Sequence, residues 1–238
     1  MPNYDTVLNL VSDAAVELGL GAVSAVYAST DENVVMLRTL LKSSGRQLLA
    51  DHSWLMAAKE HTFTSTAATS YTLPADFGQY IDGSAFNRTQ KLPIQPLTVQ
   101  QWQALNALSV QMGLGVLMRP KDLTLSLWPT TNTGESFALE YKSTYWVRAT
   151  ASSAPDKAAP TVDTDVVHLD ALLIVKALKL TFLRNRGFDT TSAQQEFDAA
   201  LDAVRGALAG SGQTLSVTSG VNSIGNPSAV STAGAVYG

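Results

Sequence analysis

Along the first sixty residues, apolar positions recur every three or four, the rhythm of a helix with one face in a core. Over residues 3 to 18 the set is Val7, Leu10 or Val11, Ala14 and Leu18, with Asn3 placed to cap the start and Gly19 to end it. Ser29-Thr-Asp-Glu32 has the form of a capping box, in which two side chains three apart satisfy free amides at a helix start. It predicts a second helix, whose Val34, Leu37, Leu41, Leu48 and Leu55 keep the spacing. Ser43, Ser44 and Gly45 in its middle are small enough for another backbone to come close.

From His61 the period drops to two. Thr62, Phe63, Thr64 and then Tyr71, Thr72, Leu73 alternate across the small-residue stretch Ala67 to Ser70, which predicts a hairpin. Pro74, with no amide to donate, ends the second strand. Thr98-Val-Gln-Gln101 is a second capping box, opening a short helix with Trp102, Leu105 and Leu108. Two more alternating runs follow, Leu123 to Leu127 and Phe137 to Tyr141, joined by the turn-forming Pro129-Thr-Thr-Asn-Thr-Gly134.

Helical spacing returns beyond a small, polar, proline-containing stretch. Val166 to Leu183 is the most apolar segment, read as a buried helix striped by Val166, Leu169, Leu173 and Leu180 and closed by Gly187. Ser192-Ala-Gln-Gln195 is placed to cap a last helix carrying Phe197, Leu201, Val204 and Leu208. The fold class expected is α+β: a helical bundle from the N- and C-terminal parts, an inserted small antiparallel β-sheet domain, and an extended C-terminal arm. The expected division is a helical part at 1–60, a β-rich insertion with one short helix at 61–148, a linker at 149–164, a second helical part at 165–210 and the arm at 211–238.

The arm contains no charged residue over its 28 positions. Its scattered Gly, Ser and Thr make ordering costly in backbone entropy, and its few larger apolar side chains do not offset that cost alone. It is either a frayed tail or a segment that orders by backbone pairing or in a partner's groove. The missing charges favour the second reading, because disordered tails are usually charge-rich.

Composition narrows the function classes. Of the 238 residues, 45% are hydrophobic and only 15% charged, which suggests surface covered by a partner. A net charge of -4 argues against a surface that grips nucleic acid, which needs clustered Lys and Arg. There is no cysteine, so disulfides and thiolate metal sites are excluded. MPNYDTVLNL lacks the basic region and continuous apolar run of a secretory signal, and Val166 to Leu183 is interrupted by His168, Asp170, Lys176 and Lys179, unlike a membrane span.

Catalytic chemistry is not apparent. Gly19-Leu-Gly21 follows a helix and has Ser24 where a dinucleotide fingerprint needs its third glycine, and Gly113-Leu-Gly115 is an equally isolated echo. The three histidines, His52, His61 and His168, have no partner at base-and-orienter spacing; His168 and Asp170, two apart on the expected helix, point to different faces. Asp163, Asp165 and Asp170 lack the pattern of a calcium loop and read as charges complementing a helix dipole. Trp54, Trp102, Trp128 and Trp146 read as core or interface packing. No catalytic, cofactor-binding or metal residue is assigned.

The order of parts carries a resemblance. Leu48-Leu-Ala-Asp-His-Ser-Trp54, then Thr62 to Thr64 with Tyr71-Thr-Leu-Pro-Ala-Asp-Phe77, Pro96 to Trp102, Leu123 to Pro129, Gly134 to Tyr141, Trp146-Val147, and Asp163-Thr-Asp165 leading to Phe182-Leu-Arg-Asn-Arg-Gly187 together resemble the head-to-tail adaptor (connector) proteins of tailed bacteriophages, over residues 4 to 209. The resemblance implies a virion structural protein without enzymatic turnover or cofactor. Its copies would form a homo-oligomeric ring, commonly of twelve, beneath a portal protein and above a tail or nozzle protein, with double-stranded DNA passing through unbound and no membrane involved. In relatives the C-terminal arm reaches the portal, which marks Leu215, Val217, Val221, Ile224, Val230 and Tyr237 as candidate portal contacts. A tail-tube or tail-completion protein and a phage-associated cell-wall hydrolase are the alternatives, the last needing an acid, base or metal cluster that the sequence does not present.

Overall fold

The computed structural model describes residues 4–51, 57–108 and 115–211. In chain order the elements are β1 (Asp5–Thr6), α1 (Val7–Glu17), α2 (Glu32–Asp51), β2 (Ala58–Thr64), β3 (Ser70–Thr72), β4 (Phe77–Tyr80), β5 (Phe86–Asn87), β6 (Leu92–Pro93), β7 (Gln95–Pro96), α3 (Val99–Leu108), β8 (Leu117–Lys121), β9 (Thr124–Trp128), β10 (Ser136–Ser143), β11 (Val147–Arg148), β12 (Val166–Val167), α4 (Ala171–Arg186) and α5 (Thr191–Ser211). The α+β class holds, with helices from both ends of the chain around an inserted, mostly antiparallel β region; the β7–β8 pair is parallel.

Helix ends follow local chemistry, with shifts from the sequence expectation. The α1 cap is Thr6, whose hydroxyl accepts from Asn9 N–H at 3.3 Å; Asn3 lies outside the described residues. Gly19, at φ 74°, closes α1 through paired bonds, its own amide to Val16 O and that of Leu20 to Ala15 O. At α2 the capping oxygen belongs to Asp31, which accepts from Asn33 and Val34, while Ser29 Oγ accepts from Asp31 N–H. The expected Ser29 cap is therefore displaced by two residues, because a carboxylate next to the first turn takes its amides directly. The box at Thr98 forms as expected: Gln101 N–H donates to Thr98 Oγ1 at 3.2 Å and Thr98 N–H to Gln101 Oε1 at 3.0 Å. The last helix starts ahead of Ser192, with its first bond from Gln194 N–H to Thr190 O and Asp189 holding the Thr191 amide.

Val166 is not helical. Val166 and Val167 form the middle strand of the small sheet β1–β12–β11, and helix begins only after Asp170, whose carboxylate accepts from Leu173 N–H. Two β-branched residues between two strand partners gain more as a ladder than as a helical turn. His168 and Asp170 are accordingly not on one helix; Asp170 is the helix cap.

The expected hairpin does not form either. β2 pairs with β10, Phe63 opposite Phe137, whereas β3 pairs with β9, Tyr71 opposite Leu125. The segment between them crosses from one sheet (β2–β10–β5–β6, with β4 also on β10) to the other (β3–β9–β8–β7). Alternation fixes which face of a strand is buried and leaves its partner open. The two sheets close on one core of Leu73, Met118, Leu125, Leu127, Phe137, Leu139 and Tyr141, with the Phe63 and Tyr71 rings 4.7 Å apart.

The helices build a second core from Val7, Leu10 and Val11 of α1, Leu37 and Leu41 of α2, and Leu173, Ile174 and Leu178 of α4, with Leu201 of α5 and Trp146. Lys176 of α4 pairs with Glu17 of α1 and Glu196 of α5 at 2.9 Å and Lys179 with Glu196 at 2.8 Å, tying the three helices at the surface. Trp146, 1% exposed, packs its indole on Gly45. The small stretch at 43–45 thus admits an aromatic ring where the sequence suggested a backbone.

Candidate functional site

Among the described residues, three groups of polar side chains centre on buried or half-buried aspartate and glutamate, and each is saturated by the fold. Asp76, in the Leu-Pro-Ala-Asp-Phe segment, accepts from Lys59 Nζ at 2.6 Å, Ser143 Oγ at 2.7 Å and the Tyr141 hydroxyl at 2.8 Å. Burial pushes its carboxyl upward, but the bonds from Lys59, Ser143 and Tyr141 and the Lys59 charge outweigh that and hold it below the usual carboxylate range. Burial and the bond to Asp76 raise the Tyr141 hydroxyl far above its ordinary value. An acid that stays ionised beside a phenol that stays protonated transfers no proton near neutrality, so the group acts as a brace. Lys59 also donates to Pro155 O at 2.9 Å.

Asp163 and Asp165 clasp loops. Asp163 accepts from the amides of Val26 and Tyr27. Asp165, 1% exposed, accepts from Lys157 Nζ at 2.7 Å and from the Thr161 and Val162 amides. Burial raises its carboxyl, and the Lys157 and backbone bonds more than reverse this. Tyr27, donating to Pro160 O, is pushed up to about 12 by burial, against the opposing pull of Arg38 and with the help of Asp165 and Asp163. Only Asp170 caps a helix; the other two aspartates hold loop amides.

Glu135 is the third, a buried carboxylate held by the side-chain amides of Asn87 at 2.7 Å, Gln90 at 2.8 Å and Asn132 at 3.1 Å. Ser65 N–H donates to Glu135 O and Glu135 N–H donates to the Ser65 hydroxyl, which fixes the crossing between the sheets. Sequence reading passed over Asp76 and Glu135, whose partners lie up to 67 and 48 positions away.

Burial lowers the pKa of both His61 and His168, and in each the Nε2 atom is buried without a hydrogen-bond partner among the described residues. His168 stacks on Tyr4, ring centroids 4.3 Å apart. His52, Trp54 and Leu55 lie outside the described residues, as do Leu215, Val217, Val221, Ile224, Val230 and Tyr237. Among the described residues no cluster of three or more His, Asp or Glu is arranged to hold a metal ion, and no helix is long and apolar enough to cross a membrane.

What remains at the surface suits contact. A groove of about 650 Å³ on the outer face of the larger sheet is lined by Glu60, Asp82, Phe86, Arg88, Lys91 and Glu140, with Arg88 paired to Glu60. Phe86 is 43% exposed there, and Leu92 follows in the paired strand. At the tip between β8 and β9, Leu123 is also exposed.

No curated protein matches the chain. A family model described as SU10 adaptor protein matches residues 5–222, which takes in both cores and every element from β1 to α5. The chain belongs to the SU10 adaptor protein family, and in general terms its role is that of a phage structural adaptor.

Proposed function

We propose that this chain is a head-to-tail adaptor subunit of the virion, assembled in the host cytoplasm into a homo-oligomeric ring, commonly of twelve copies, under a portal protein. The ring joins the portal to a tail or nozzle protein and leaves a channel for double-stranded DNA. The observation that carries the reading is the family match across the whole helix, β region, helix sequence at 5–222. The acidic balance of 20 Asp and Glu against 16 Lys and Arg supports passage of DNA without adhesion. Saturated polar clusters support a role in holding shape. In this reading Leu215, Val217, Val221, Ile224, Val230 and Tyr237 contact the portal.

Purified chain mixed with portal rings of its own phage and imaged by electron microscopy tests the proposal. The expected result is a second ring coaxial with the portal. Chain that stays unassembled beside bare portals refutes it.

A further inference from the structure

Among the described residues β2 is an outer strand, and its ladder uses one edge alone. Ser65 N–H donates to Glu135 O at 2.8 Å, in register with Phe63 opposite Phe137 and His61 opposite Leu139. On the far side of β10, the amides of Arg88 and Ile81 reach the carbonyls of Ser136 and Glu140. Alternation along the strand then turns the N–H and C=O of Glu60, Thr62 and Thr64 to the edge away from β10. Among the described residues no backbone group pairs with them. Next along that edge, the Thr66 amide is taken by the Tyr71 hydroxyl at 3.2 Å.

Among the described residues nothing blunts this edge. The β2–β10 register runs without a bulge from Ala58 to Thr64, there is no proline in the strand, and Lys59 is committed to Asp76. Its inward side chains, His61 and Phe63, are half-buried, while Glu60, Thr62 and Thr64 are exposed. A strand added here must place apolar residues beside Phe63 and His61 and small polar ones beside Thr62 and Thr64.

The chain itself holds such a segment. Thr214-Leu215-Ser216-Val217-Thr218 alternates small polar with apolar residues, lies in the charge-free stretch and falls within the span matched by the family model. Topology turns α5 back towards the end of the bundle from which β2 starts. α5 runs back along α4 through Lys179–Glu196 and Arg184–Gln194, and the far end of α4 meets the start of α2 through Arg186–Asn33. α2 and α5 therefore finish at the same end of the bundle, the end from which the chain enters β2. At 21 residues against 16, α5 is about 31 Å long against about 24 Å for α4, so it returns the chain fully to that end.

We infer that residues 214–218 add to the open edge of β2 in the same chain, with Leu215 and Val217 covering Phe63 and His61 and with Thr214, Ser216 and Thr218 beside Thr62 and Thr64. The inference concerns the free subunit and does not rest on the portal reading. A portal surface that takes Leu215 and Val217 has to displace this pairing.

Residue-resolved amide exchange on the isolated full-length chain tests it, with no portal present. The Thr62 and Thr64 amides are expected to exchange at least about tenfold more slowly than in Val217→Pro, which removes a donor and fixes φ. The double variant Leu215→Asp/Val217→Asp should release them equally, while the β10-bonded amides of His61 and Phe63 keep their rates in every variant. Open-strand exchange at Thr62 and Thr64 in the parent chain overturns the inference, and so does protection that survives both variants. Protection that grows with protein concentration assigns the segment to a second copy and overturns the same-chain pairing.

Discussion

Replacing Gly45 by alanine sets helix propensity against packing, and the structure says which wins. A Cβ at position 45 would lie 2.2, 2.5 and 2.6 Å from three carbons of the Trp146 indole, where carbon atoms rest about 3.5–4.0 Å apart. The ring has to retreat by more than an ångström. It is 1% exposed, its Nε1–H donates to Ala158 O at 2.7 Å, and its backbone carbonyl accepts from His168 N–H at 2.8 Å. Overpacking of a closed core costs about 1–3 kcal/mol, and straining the indole hydrogen bond adds about 1 kcal/mol. Against this, alanine in a helix interior is favoured over glycine by about 1 kcal/mol. The net expectation is a loss of about 1–3 kcal/mol, which lowers Tm by about 2–12 °C for a chain of this size. Thermal unfolding followed by circular dichroism measures it. In a Trp146→Leu background the clash is gone, so the same Gly45→Ala change should become neutral or stabilising by up to about 1 kcal/mol. A parent-background Gly45→Ala variant at or above the parent Tm refutes the reasoning.

Asp76→Ala removes the acceptor of two buried hydroxyls, those of Tyr141 and Ser143, and leaves the partly solvated Lys59 without its counter-charge. A loss of about 2–4 kcal/mol in denaturant unfolding is expected, and a change under about 0.5 kcal/mol, the ordinary surface value, contradicts the brace. The pH dependence has two stages. His61 and His168 have folded pKa values below the ordinary 6.5, so the unfolded chain binds the extra protons and stability falls as pH drops below about 6.5; His61→Asn with His168→Asn should flatten that stage in a Tm-against-pH series. Asp76 and Asp165 are depressed as well, so their contribution is complete above about pH 4 and is lost as pH falls through their folded values. A Tm that is level from pH 7 to 5 in the parent chain would count against the histidine stage.

The legible parts of this fold are those set by neighbours in sequence. Stripes such as Leu37 and Leu41, the Thr98–Gln101 box and the left-handed Gly19 and Gly187 were readable because each depends on residues within one or two turns. The existence of β2, β3, β9 and β10 was readable from alternation, but strand partnership was not, since Phe63 alternates equally well whether it faces Tyr71 across a sandwich or beside it in a hairpin. Val166 and Val167 were misread because an unbroken apolar run carries no period, and their two strand partners lie at Thr6 and Arg148 and their neighbours. The candidate site was legible only as a resemblance. Asp76 looks like any loop aspartate until Tyr141 and Ser143 arrive from far along the chain.

The stretch from Pro155 to Asp165 shows how such distant pairings set the shape of the subunit. Its Pro155 carbonyl takes Lys59 from the base of the larger sheet, Ala158 O takes the Trp146 indole, and Pro160 O takes the Tyr27 hydroxyl. Asp163 then holds the amides of Val26 and Tyr27, and the carbonyls of Asp163 and Asp165 receive those of Leu8 and Val7 at the start of α1. One short, polar segment is thus bonded in sequence to the β region, to the tryptophan packed on α2 and to the first helix. Flexible spacers keep their backbone groups solvated, whereas these are satisfied within the protein, and the two carboxylates involved are buried or bonded by several donors. The segment therefore behaves as a strap that fixes the β sandwich against the helices. In the head-to-tail reading proposed above, alignment passes from a neighbour on the helical side to one on the sheets only if that angle is held. Among the described residues the two apolar cores form separate clusters, so directional hydrogen bonds from this strap carry much of the task of holding it.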